Sequence, residues 1–91
     1  MAVYLDKAKN KYRGMVMCHM LADTPAELHE MAAKIGIKSQ WFQPASSPHY
    51  DVCLMRRKVA LSLGAIEIDR RQVVKLIKRI RSQPDICWSP K

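Results

Sequence analysis

Asp6, His19, Asp23, His49 and Asp51 are the residues of this chain whose types could do chemistry together. Imidazole and carboxylate groups ligate a divalent metal such as zinc or manganese, which activates water for attack on a phosphoester. Without a metal, His19 and His49 suit a general acid and base, each oriented by Asp6 or Asp51. Either chemistry requires the groups to share one side of one element. Alternate residues of a β-strand lie on one face. If Val3 and Leu5 face the core, so do Val16, Cys18 and Met20, and so do Tyr50, Val52 and Leu54. The opposite faces then carry Tyr4 and Asp6, Met17 and His19, and His49, Asp51 and Cys53. Neighbouring strands would bring two histidines and two aspartates together, with Asp23 just past the second strand at the same rim. The competing structural reading makes His49 a strand-end cap, Asp51 the partner of a nearby arginine, and His19 a satisfied core histidine. Cys18 and His19 are strand neighbours on opposite faces and form no metal pair. His29 falls off the apolar stripe of its helix and reads as solvated.

The elements that must position these groups follow from local patterning. Ala2–Leu5 and Met15–Met20 are β-favouring runs joined by a polar loop, Asp6–Gly14. Thr24 before Pro25, with Glu27 three residues on, satisfies the exposed amides of a helix start, and Leu28, Met31, Ala32 and Ile35 recur at helical spacing up to Gly36. Gln40–Gln43 reads as a brief strand, and Pro44–Pro48 as a loop. His49–Leu54 is expected as a strand, Met55–Leu63 as a helix with Val59, Ala60 and Leu63 inward, and Ala65–Ile68 as a strand parallel to the one before the helix. Asp69 and Gln72 box the start of a last helix whose buried stripe is Val73, Leu76, Ile77 and Ile80. The resulting expectation is one α/β domain over residues 1–82, with a mixed sheet of three to five short strands and three helices, and a C-terminal tail at 83–91.

The chain has 91 residues and a net charge of +8, which favours an acidic partner. Residues 1–53 contribute +1 and residues 54–91 contribute +7. On the last helix Arg70, Arg71, Lys75, Lys78, Arg79 and Arg81 form an acid-free basic face; Arg56, Arg57 and Lys58 open the preceding helix. Phosphate backbones attract such surfaces through counterion release, and the competing reading is a solvated face that keeps a small protein soluble. No base-stacking motif accompanies the charge. Gly14, Gly36 and Gly64 are isolated, which removes phosphate-cradling loops, and no G-x-S-x-G supports a serine nucleophile. Cys18, Cys53 and Cys87 suggest neither disulfides nor a zinc ribbon. With no long apolar run or signal-peptide pattern, the expected location is the cytoplasm, that of the host if the chain is phage-encoded, with no membrane partner. So short a chain buries a marginal core, and a homodimer is one way to add to it.

Met15-Val-Met-Cys-His-Met-Leu-Ala-Asp-Thr24, together with Ala2-Val-Tyr-Leu-Asp6, Glu27-Leu28-His29, Ile35-Gly36-Ile37, His49-Tyr-Asp51 and Gly64-Ala-Ile-Glu-Ile68, resembles the DUF4031 family of small bacterial and tailed-phage proteins. The resemblance runs through about residue 77 and implies a shared fold and a phage or bacterial source, but no activity. The positions it singles out are Asp6, His19, Asp23, His49 and Asp51. The leading expectation is an accessory protein that engages nucleic acid, or a nucleic-acid-processing protein, through the basic last helix. Alternatives are a metal-dependent hydrolase or phosphodiesterase built on the His/Asp cluster, with a divalent metal as cofactor, and an inhibitor docking on a host protein through an apolar tail carrying Ile86 and Trp88.

Overall fold

A computed structural model of the chain describes residues 2–44 and 47–82. The expected tail, with Ile86, Cys87 and Trp88, lies outside the described residues. The fold is α/β, with a mixed sheet of β1 (Val3–Leu5), β2 (Asn10–Tyr12), β3 (Met15–Ala22), β4 (Tyr50–Cys53) and β5 (Ile66–Glu67), and helices α1 (Pro25–Lys34), α2 (Leu54–Ser62) and α3 (Arg70–Arg81). The long strand β3 organises the sheet. Met20 pairs with Leu5 on one side and Tyr50 on the other, and Met17 pairs with Asn10 and Cys53, so β1 and β2 share one edge of β3 while β4 takes the opposite edge. β5 adds parallel to β1. The expected β-α-β unit is therefore real in direction: β4 and β5 run the same way, with β3 and β1 between them.

β1 and β2 are one edge interrupted. Leu5 faces Met20 and Asn10 faces Met17, so four residues, Asp6 to Lys9, span what two residues, Cys18 and His19, span on β3. The sequence reads this segment as loop throughout, because Asn10-Lys-Tyr has no apolar run; its pairing comes instead from the turn that follows. Arg13 and Gly14 have φ of 50° and 78°, the positive pair that a two-residue hairpin turn requires.

Two apolar layers hold the sheet. On one face Leu5, Cys18, Met20, Tyr50 and Val52 pack against Leu28, Met31, Ala32 and Ile35 of α1 and Ala60 of α2. On the other, Leu21 meets Ile68 and the α3 residues Leu76 and Ile80, flanked by Tyr4, Val73 and Ile77. Thr24 caps α1 ahead of Pro25, and Asp69 and Gln72 close a reciprocal capping box on α3, as their spacing predicts.

Three local expectations are corrected. Gln40–Gln43 is not a strand: Ser39–Trp41 is a 3₁₀ turn, and only Gln43 bridges to His49. Leu54 does not face the core; the strand ends at Cys53, and Leu54 starts α2 in an exposed position. Val59 and Leu63 are also exposed. α2 docks instead through Ala60 and half-buried Leu61, with the guanidinium groups of Arg56 and Arg57 turned inward to Ile35 O and to Asp6 O and Glu67.

Candidate metal centre

The period of two along β3 and β4, with His19 directly opposite Asp51, sets His19, His49 and Asp51 on the α3 side of the sheet. One donor atom from each lies within 4.8 Å of the other two. His49 Nε2 is 3.5 Å, and His19 Nε2 3.9 Å, from Asp51 Oδ1. Donor atoms around a tetrahedral zinc lie roughly 3.3 Å apart, given bonds near 2.0–2.1 Å. The His49–Asp51 spacing is close to that, the set as a whole is wider, within 4.8 Å, and the two imidazoles meet edge to face with centroids 5.1 Å apart.

What lies behind each ring selects its neutral tautomer. His49 Nδ1 is 2.9 Å from the Ser47 carbonyl oxygen, which only accepts, so Nδ1–H donates there and Nε2 of the neutral ring carries a lone pair toward Asp51. His19 Nδ1 lies 2.6 Å from Asp6 Oδ2, while Asp6 Oδ1 accepts the His19 backbone N–H at 2.8 Å and the Ala8 N–H at 3.2 Å. Asp6 thus grips His19 with both oxygens and directs its Nε2 forward. The Gln43 side-chain amide donates to Asp51 Oδ2, leaving Oδ1 for the histidines. Nε2 of each ring and Oδ1 of Asp51 are therefore gathered on the pocket side, a donor set that a cation placed between them would bridge.

Asp6 owes its place to the interrupted edge. Where β1 leaves the ladder, its carboxylate takes over from a backbone carbonyl in accepting the His19 N–H, and its own N–H still donates to His19 O at 3.1 Å. Arg57 of α2 donates to Asp6 O at 3.2 Å and holds the segment from behind. Strand irregularities of this kind recur beside sites because they re-aim a side chain.

The centre opens into a pocket of about 660 Å³ walled by Leu21, Val73, Val74 and Ile77, with Asn10, Lys7 and Arg70 at its polar rim. Lys7 lies 3.9 Å from Glu67. Arg70 makes no ion pair among the described residues.

Not every predicted site residue joins the cluster. Asp23 is not brought to the metal set: at the far end of β3 it accepts from Tyr4 Oη, the Ala2 N–H and Arg79. Asp6 lies behind His19, on its Nδ1, and is not one of the three grouped donors. Of the basic residues, Arg56 caps the C-terminus of α1 through Ile35 O, and Arg57 pairs with Glu67, whose carboxyl it holds below its usual range. Arg56, Arg57 and Lys58 belong to α2, on the sheet face opposite α3. Arg79 is engaged by Asp23, whereas Arg70, Arg71, Lys75, Lys78 and Arg81 lie exposed along α3.

His29 is not simply solvated. It is half-buried, its Nδ1 is 2.7 Å from Tyr50 Oη, and its ring packs on Phe42 and Tyr50. Cys18 is fully buried, and burial pushes its thiol up to about 11. Gln43, Asn10 and the Ser47 carbonyl were missed by sequence reasoning. Gln43 carries no signal of its own, because its reach to Asp51 depends on the bridge to His49.

The model of a protein family described as "Protein of unknown function (DUF4031)" matches residues 3–80. The chain belongs to that family. No curated protein and no solved structure matches the chain. No helix among the described residues is long and apolar enough to cross a membrane.

Proposed function

We propose that this DUF4031 protein is a metal-dependent hydrolase of phosphate esters, with His19, His49 and Asp51 as the ligands of one divalent ion. The observation that carries the reading is the convergence of His19 Nε2, His49 Nε2 and Asp51 Oδ1, with both Nδ1 atoms committed to oxygens behind them. Two histidines and a carboxylate are a hydrolytic zinc set; three protein ligands leave a position for water, whereas structural sites are closed by four. The hydrogen bonds from Nδ1 to Asp6 and Ser47 fix the tautomers and raise ligand basicity.

A bound divalent ion lowers the pKa of its water toward neutrality and polarises a phosphoryl oxygen. Lys7 and Arg70 suit the charged oxygens of a phosphate, and Leu21, Val73 and Ile77 give the same pocket an apolar wall. In the reaction a water oxygen bonds to phosphorus, the P–O bond to the leaving alcohol breaks, and the proton lost by water ends on that alcohol. His19 and His49 acting as acid and base without metal would use the same pocket.

The test is zinc and manganese titration of chelator-treated protein by calorimetry, alongside hydrolysis of bis(p-nitrophenyl) phosphate. One ion per chain is expected, with turnover that chelation abolishes, and His49→Asn loses both at unchanged fold. Turnover that survives exhaustive chelation, or no ion bound at micromolar metal, overturns the metal-centred reading.

A further inference from the structure

The geometry points to a polynucleotide strand as the substrate, its backbone running from the metal centre across Arg70 and along the outer face of α3; this rests on the phosphoester reading above. The pocket over His19 and His49 and a shallower depression on α3 share two residues, Arg70 and Val74. The second depression continues with Arg71, Lys75 and Lys78. A small phosphate ester would use only Lys7 and Arg70. The cations beyond them have no acidic neighbour on α3, where like charges at i, i+4 such as Arg71 and Lys75 repel one another until an anion intervenes.

Scale and charge agree with an extended polyanion. From Arg70 to Lys78 the helix rises about 12 Å at about 1.5 Å per residue. That is long enough to meet more than one phosphate of an extended single strand. Asp6 and Asp51 set two carboxylates behind and beside the histidines at the pocket end of this track, which a divalent ion would offset. Metal and substrate should therefore bind with positive coupling.

The experiment measures binding of a fluorescein-labelled 15-mer oligothymidylate, with the matching oligouridylate as a second arm, at several salt concentrations and with and without Mn²⁺. Two variants of equal net charge separate a local track from bulk attraction: Lys75→Glu with Lys78→Glu on α3, and Lys34→Glu with Lys58→Glu on the helices of the opposite face. The α3 pair should weaken oligonucleotide binding at least tenfold and flatten the log–log salt slope by roughly 1.4, two contacts' worth for a single strand. The control pair should lose far less, and all variants should bind Mn²⁺ like the parent. Mn²⁺ should tighten oligonucleotide binding and broaden the ³¹P resonances of the bound strand. Equal losses in the two variants, or ³¹P resonances untouched by bound Mn²⁺, overturn the substrate inference while the metal centre stands. Failure of the parent to bind either Mn²⁺ or Zn²⁺ overturns the reading on which it rests.

Discussion

Replacing Asp6 by Asn separates its two tasks. The amide oxygen can still accept the His19 and Ala8 backbone N–H groups, now at 2.8 and 3.2 Å, so the interrupted edge keeps its hydrogen bonds. The amide nitrogen then occupies the place of Oδ2, 2.6 Å from His19 Nδ1. Two N–H groups cannot face each other at that distance, so His19 must accept at Nδ1 and carry its proton on Nε2, aimed at the metal position. Turning the amide over would set its NH₂ against two backbone donors, which is worse. Loss of such an outer partner costs about 10–100-fold in metal affinity, which is about 1.4–2.7 kcal/mol at about 1.36 kcal/mol per tenfold. Exchanging a charged acceptor for a neutral one costs stability of about 1 kcal/mol, lowering Tm by about 4–8 °C for a domain this size. Zinc calorimetry gives the affinity, and ¹⁵N-histidine correlation spectra report the tautomer. An Asp6→Asn protein that binds zinc like the parent, or keeps the His19 proton on Nδ1, refutes the reasoning.

Two further outcomes test the scaffold. Gly36 has φ +81°, and a Cβ there would lie 2.6 Å from Arg56 Nη1; Gly14 has φ +78° with open space around it. Gly36→Ala should therefore lose more stability in urea than Gly14→Ala, whose cost is the left-handed penalty of about 1–2 kcal/mol; equal losses would show that Arg56 yields freely. Cys18, buried and with its thiol raised to about 11, should resist iodoacetamide at pH 8 and react in urea, with native labelling growing only as pH nears that value. Mass-spectrometric labelling of Cys18 at the unfolded rate would contradict its burial.

Much of the site was legible because a strand carries its own periodicity. His19 and Asp51 each sit in a run whose alternation marks the inward set, and antiparallel pairing then placed them opposite each other. Asp23 shares that parity but lies beyond the ladder, where Tyr4 and Arg79 claim it; periodicity says nothing about how far along a strand a neighbour reaches. The α1 and α3 boundaries were readable for a similar reason, since capping chemistry is local. The contact of His29 with Tyr50 spans 21 residues, and no local pattern encodes it. The inward turn of Arg56 was hidden because its partner, Ile35 O, is a backbone atom that no sequence distinguishes, and that of Arg57 because Asp6 O and the Glu67 carboxylate reach it only through the tertiary fold.

The excursion between β1 and β2 adds two residues to its edge relative to β3. An even surplus restores the alternation, so Asp6 and Asn10 both look toward the pocket while Leu5 stays in the core. One residue more or fewer would reverse the parity of β2, turning Asn10 away from the pocket and Lys11 toward it until the hairpin turn reset the register. Length variants of this chain should accordingly survive in steps of two. Lys7 rides on that excursion, so lengthening it beyond Asp6 would move a pocket-lining cation relative to His19 and Asp51, whose own places are set by the pairing of β3 with β4.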